Sequence, residues 1–86
     1  MLTDAAARKI IRTLAAAGKI VFLPHAQAEL LVDKMTTFDA HRVLHGGSVA
    51  FDATYRGNAR YRVTGSAMIV VVELHDDLLV VTGFAR

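Results

Sequence analysis

Two pairs of residues in this chain have the types and spacing to do chemistry: Arg60 with Arg62, and Glu73 with His75. One residue separates the members of each pair. On β-strands both members therefore project from the same face, roughly 6.5–7 Å apart along the strand. A carboxylate, an imidazole and two guanidinium groups on one surface are the parts needed for acid–base chemistry on a phosphodiester. Glu73 or His75 would take the 2′-hydroxyl proton and the other would protonate the leaving oxygen, while the arginines would hold the phosphate and its developing charge. The plainer alternative pairs Arg60 and Arg62 across strands with Thr54 and Asp52 and leaves Glu73 and His75 as solvent-facing residues.

The elements that must position these side chains lie in the last third of the chain. Residues 59–84 hold three short stretches rich in Val, Leu, Ile and Tyr, separated by Gly65-Ser66 and Asp76-Asp77. This pattern predicts three antiparallel strands joined by tight turns, and residues 48–55 add a fourth strand in front. A three-residue loop, Arg56-Gly57-Asn58, pairs Tyr55 with Ala59, Ala53 with Tyr61 and Phe51 with Val63. It wins over a two-residue Gly57-Asn58 loop because a slip of one residue turns every side chain to the wrong face. Two-residue turns further on set Val63 opposite Met68, Tyr61 opposite Val70, Leu74 opposite Leu79 and Val72 opposite Val81.

One face is then continuous core, running from Val49 and Phe51 through Tyr61, Val63, Val70 and Val72 to Leu79 and Val81. The other mixes Asp52, Thr54, Arg60, Arg62, Glu73, His75 and Thr82 with Ile69, Val71, Leu78 and Val80. With no chain left to cover it, this second face has the make-up of a groove for a ligand or partner. Gly83, inside the last strand, predicts a bulge or a close backbone approach. Arg86, at the end of the chain, is expected either to be disordered or to reach the open face.

Everything before Gly46 reads as helix. Thr3 is an N-cap for a helix over residues 3–17, with Asp4 in its first turn and Ala7, Ile10, Ile11 and Leu14 at helical spacing. Gly18 ends it, and Arg8, Lys9 and Arg12 fall on the outward face. Ile20 to Leu23 reads as a linker with some strand character. Pro24 suits a helix start, so a second helix runs from His25 or Ala26 to Asp33 with Ala26, Leu30 and Leu31 inward. Thr36 and Asp39 make a capping-box arrangement that opens a third helix, with Phe38, Val43 and Leu44 on its apolar side and Gly46-Gly47 as its stop. His25 at the entry to the second helix fits a cap or packing role. His41 and His45 have a metal-compatible spacing but no third ligand nearby, so an exposed helix face explains them better.

Size and composition bound the rest. Eighty-six residues make one domain, enough to bury roughly 60–65% of the unfolded chain's surface. The expected class is α+β: two or three N-terminal helices on one face of a four-stranded antiparallel sheet. With no cysteine, the chain has no disulfide framework or thiol nucleophile, which suits a reducing cytosol. Asp4 stands where a secretory leader would carry basic residues, and the longest apolar run is the six residues 67–72, against the roughly 20 of a membrane helix. A cytoplasmic protein that needs no membrane is the expectation. Net charge is +2, but Arg56, Arg60 and Arg62 form an acid-free cluster and the first segment sets four basic residues against Asp4. That distribution allows a polyanionic partner.

Four stretches carry a resemblance: "LPHAQAEL", "KMTTFDAHRVLHGG", "RYRVTG" and "LLVVTGF". Together they are similar to a family of small bacterial domains with a His-Ala helix start, an Ile-Ser/Thr-x-x-Asp/Glu helix, an Arg-Tyr-x-Val strand and a closing Val-Val-Thr strand. The likeness spans residues 22–84, and the family more distantly resembles the RelE/ParE-like and MqsR-like toxins of the barnase type. Glu29 stands where that family usually has Arg. The resemblance implies a helix-plus-antiparallel-sheet fold and RNA cleavage without a cofactor. It matches His25, Arg60, Tyr61 and Arg62 to frequent family residues. The resulting expectation is a metal-independent endoribonuclease toxin with RNA as substrate and a cognate antitoxin as partner. Arg60, Arg62, Glu73 and His75 would be catalytic, and His25, Arg56, Tyr61, Thr82 and Arg86 would hold substrate. The competing expectation is a non-catalytic module that binds protein or nucleic acid, such as a phage-encoded inhibitor or accessory protein. Self-association through the open face or a strand edge would make a homodimer.

Overall fold

The computed structural model describes residues 2–85. Among them three helices and five strands follow in the order α1 (Asp4–Ala16), β1 (Ile20–Phe22), α2 (Pro24–Val32), α3 (Thr37–Gly46), β2 (Ser48–Tyr55), β3 (Asn58–Thr64), β4 (Ile69–His75) and β5 (Leu78–Ala85). The class is α+β, as the residue pattern predicts, but the sheet is mixed and five-stranded, with spatial order β1-β5-β4-β3-β2. The segment read as a linker with some strand character is the extra strand. Ile20, Val21 and Phe22 pair in parallel with Leu79, Val80 and Val81. Three residues are too few to display a strand period, so only the long-range pairing could reveal this strand.

The helices start where their caps dictate. Thr3 accepts a hydrogen bond from the Ala6 amide. Thr36 and Asp39 close a reciprocal capping box: Thr36 Oγ1 accepts from Asp39 N at 3.2 Å, and Thr36 N donates to Asp39 Oδ2 at 2.8 Å. Pro24 opens α2, where its missing N–H costs nothing. The α1 stripe buries Ala7, Ile11, Leu14 and Ala15, and Ala26, Leu30, Ala40 and Leu44 come from the other two helices. Leu31 and Phe38 do not face inward. They are 79% and 68% exposed, because these two helices bury one narrow row each.

The core is one face of the sheet under these helices. Tyr61, Val63, Val70, Val72, Leu79 and Val81 are essentially sealed, while Val49 and Leu74 pack partly buried against them. Burying side chains of this size contributes about 1.5–3 kcal/mol each. Alternate residues on the same strands form the opposite, outer face.

The first hairpin departs from both expected loops. Its turn is Arg56-Gly57, with Tyr55 opposite Asn58, and the register shifts between Phe51 and Ala53. Positive φ at Arg56 (50°) and Gly57 (81°) gives the turn whose twist matches a hairpin. The extra residue, Asp52, is a bulge that returns Phe51 to the core side opposite Tyr61, their rings 5.8 Å apart edge to face. Consequently Asp52 is not opposite Arg62, and Thr54 is not opposite Arg60. Ala50 and Ala53 take those places. Between β3 and β4 the register runs two residues beyond the expected one, pairing Val63 with Val70 and Tyr61 with Val72. A shift of two preserves every face. The β4–β5 pairs Leu74–Leu79 and Val72–Val81 are as predicted, and a bulge follows at Thr82, beside Gly83.

Candidate functional site

Arg60 on β3 is directly opposite Glu73 on β4, and His75 follows Glu73 on the same face. The three side chains form a connected group. Arg60 Nε donates to Glu73 Oε2 at 2.6 Å, and His75 Nε2 donates to Glu73 Oε1 at 3.0 Å. Glu73 therefore sits at the centre with both oxygens used, and its side chain is only 8% exposed. Arg60 is also held from the other side, its guanidinium carbon 4.2 Å from the centroid of the Tyr55 ring. Tyr55 reaches this face because the Asp52 bulge reverses the parity of the strand end.

Electrostatics follow from this packing. Burial pushes the Glu73 carboxyl up, but hydrogen bonds from Arg60 and His75, with their charges, outweigh burial and hold it below its ordinary value. Glu73 is thus a fixed anion, an orienting and charge-balancing group rather than a proton carrier. His75 is the solvent-facing member of the group. Its side chain is 40% exposed, and with Nε2–H donating to Glu73, the neutral ring has Nδ1 as its basic nitrogen.

The remaining expected residues divide. Arg62 lies two residues from Arg60 on the same face, exposed, with Ala50 and Val71 as cross-strand neighbours. It makes no ion pair among the described residues. Arg56 is in the hairpin turn, its guanidinium carbon 5.3 Å from the centroid of the Tyr55 ring. Tyr61 points the other way, into the core, and is 1% exposed. Burial, followed by the nearby Asp4 charge, pushes its phenol up. It is a packing residue with no access to a substrate on the outer face. Thr82 is buried at the bulge, where its hydroxyl donates to the Val71 carbonyl at 3.2 Å. Arg86 lies outside the described residues.

His25 belongs to a different arrangement. Beyond β1 the edge of β5 would be bare, and α2 covers it with two side chains. His25 Nε2 donates to the Thr82 carbonyl, and the Phe84 amide donates to Glu29 Oε2 at 3.1 Å. Glu29 is thereby an edge-capping residue. His41 packs its ring against Phe22, centroids 6.0 Å apart. Among the described residues no three His, Asp or Glu side chains gather as a metal site would require.

Residue types and strand spacing indicated that Arg60, Arg62, Glu73 and His75 share a face. Tyr55 was missed because its orientation depends on an unforeseen bulge. A cleft of about 410 Å³ was missed as well. It lies between α3 and the β3–β4 loop, and none of the expected site residues lines it. Comparison with protein-family models, with curated proteins and with solved structures finds no match for this chain.

Proposed function

We propose that the outer face of the sheet binds RNA and that the chain is a metal-independent endoribonuclease, the toxin half of a toxin–antitoxin pair, with His75 as its acid–base residue. The observation that supports this most is the Arg60–Glu73–His75 group, a half-exposed imidazole held in one tautomer by a buried carboxylate. In the reaction His75 Nδ1 takes the proton of a ribose 2′-hydroxyl. The freed oxygen attacks the adjacent phosphorus, the bond to the 5′-oxygen breaks, that oxygen leaves with a proton from water, and the resulting hydroxide takes back the proton held on His75. The products are a 2′,3′-cyclic phosphate and a 5′-hydroxyl. Arg62, exposed and unneutralised, binds the phosphate, and Arg56 extends the basic strip. Arg60 is a positioning residue, since its Nε is committed to Glu73.

A second reading, a non-catalytic binding module, is favoured by one feature. Val21 is 42% exposed and sits opposite Val80. With Ile69, Val71 and Leu78, all partly exposed, it extends an apolar strip beside the charged group. In the toxin reading this strip receives the antitoxin.

The test is induction in a bacterial culture of the wild type beside His75→Ala and Arg62→Ala, with total RNA run on a gel. The toxin reading expects growth arrest with fragmented RNA, relieved in both variants. Normal growth and intact RNA with soluble wild-type protein would replace it with the binding module.

A further inference from the structure

The cleft between α3 and the β3–β4 loop is an open hollow with walls of opposite character. Its volume, about 410 Å³, is within the range of small-molecule sites, roughly 300–1,000 Å³. Met35, Val43 and Met68 supply apolar lining, and Asp39 and Arg42 line it one helical turn apart on α3. Gly46 leaves the helix side open, since a Cβ there would meet nothing within 4 Å.

The two charges act on each other through space, but they form no ion pair among the described residues. Asp39 uses Oδ2 in the capping box, accepting from Thr36 N and Thr36 Oγ1 at 2.8 and 3.0 Å. Oδ1 accepts no side-chain hydrogen bond among the described residues, and Arg42 forms no ion pair among them. The capping-box contacts, first the Thr36 backbone and then its hydroxyl, with a smaller contribution from the Arg42 charge, keep the Asp39 carboxyl below its ordinary value. The cleft thus presents a fixed anion, a cation and an apolar wall.

We propose that this cleft binds a small zwitterion, an α-amino acid with an apolar side chain. Its ammonium pairs with Asp39 Oδ1 and its carboxylate with the Arg42 guanidinium, while its side chain lies against Met35, Val43 and Met68. An anion alone would meet Asp39 repulsion and a cation alone would meet Arg42, so only a ligand carrying both charges satisfies both walls. The site is at the opposite end of β3 and β4 from Glu73 and His75, so it stands or falls independently of RNA cleavage.

The experiment is a titration of the amide NMR spectrum of the full chain with L-leucine, 4-methylpentanoate and 3-methylbutylamine. Leucine is expected to shift the Gly46, Gly47, Gly65 and Ser66 amides, with the two half-ligands binding at least about tenfold more weakly. Arg42→Ala removes the carboxylate partner and is expected to weaken leucine binding by about tenfold or more. Gly46→Phe fills the hollow without removing either charge and is expected to abolish binding, which keeps the proposal testable should Arg42→Ala fail to fold. Absence of leucine shifts at these amides in the wild type would overturn the proposal. So would equal binding of either half-ligand, or leucine binding unchanged in Gly46→Phe.

Discussion

Arg60 and Glu73 stand directly opposite one another on β3 and β4, with Nε 2.6 Å from Oε2. The buried partner is the carboxylate, while the guanidinium is 29% exposed. This asymmetry matters. An isolated buried carboxylate would be driven toward its neutral form, and it is the charged hydrogen bonds from Arg60 and His75 that keep it ionised. Glu73 therefore couples stability to the orientation of His75.

Glu73→Gln keeps the shape and removes the charge. We expect it to lower unfolding stability at neutral pH by about 1.5–3 kcal/mol, the range for hydrogen bonds to charged groups. Because the folded carboxyl titrates below its unfolded value, its contribution is fully present above the unfolded value and is lost as pH falls through the folded one. Asp39 shifts in the same direction, so it adds to the acid limb. Urea melts at neutral pH and below about pH 4 check this: the gap between wild type and Glu73→Gln closes on acidification. A constant gap would mean that packing, not charge, carries the effect.

Glu29→Ala should destabilise by about 1–2 kcal/mol, because it leaves the Phe84 amide without its acceptor at a part-buried position. Glu29→Gln retains an acceptor oxygen and should lose less. Hydrogen exchange at the Phe84 amide is the direct readout, since faster exchange in the alanine variant reports opening of the β5 edge.

Gly47→Ala is expected to cost about 1–3 kcal/mol or more through overpacking. A Cβ at Gly47 would come 2.7 Å from the Val43 carbonyl oxygen and 2.8 Å from that of Thr64. Both are backbone atoms that cannot swing aside. The conformation itself, φ −73°, suits any residue, so the penalty is steric and a thermal melt beside Gly46→Ala isolates it.

What could be read in the residues is what local physics decides. Caps at Thr3 and Thr36 act over three or four residues, and alternation along β3 and β4 assigns faces regardless of register, so the shared face of Arg60, Arg62, Glu73 and His75 was legible. That Arg60 touches Glu73 was not. The loop between β3 and β4 is two residues longer than the tight turn expected, which moves Glu73 opposite Arg60 while keeping both on one face. The strand β1 and the exposure of Leu31 and Phe38 depend on partners distant in sequence, β5 above all. Tyr61 was misplaced for a simpler reason. A resemblance that no comparison supports assigned it substrate contact, whereas its strand parity already put it in the core.

Arg56 offers a test that separates folding from binding. It adopts φ 50° in a turn position that favours Gly, Asn or Asp, and left-handed backbone at a bulky side chain is unfavourable by about 1 kcal/mol or more. Its contact with the Tyr55 ring, at 5.3 Å, returns only about 0.5–1 kcal/mol at an exposed site. Arg56→Asn should therefore leave stability unchanged or raise it by up to about 1 kcal/mol. If the basic strip on the outer face binds RNA, the same substitution should weaken binding to a short single-stranded RNA and flatten its salt dependence, since one phosphate contact is lost. Thermal melts and filter binding at two salt concentrations measure both. A melting temperature that holds or rises while affinity falls places Arg56 in the RNA contact. Unchanged affinity and salt slope would remove it from that surface and leave Arg62 as the phosphate-binding residue to test.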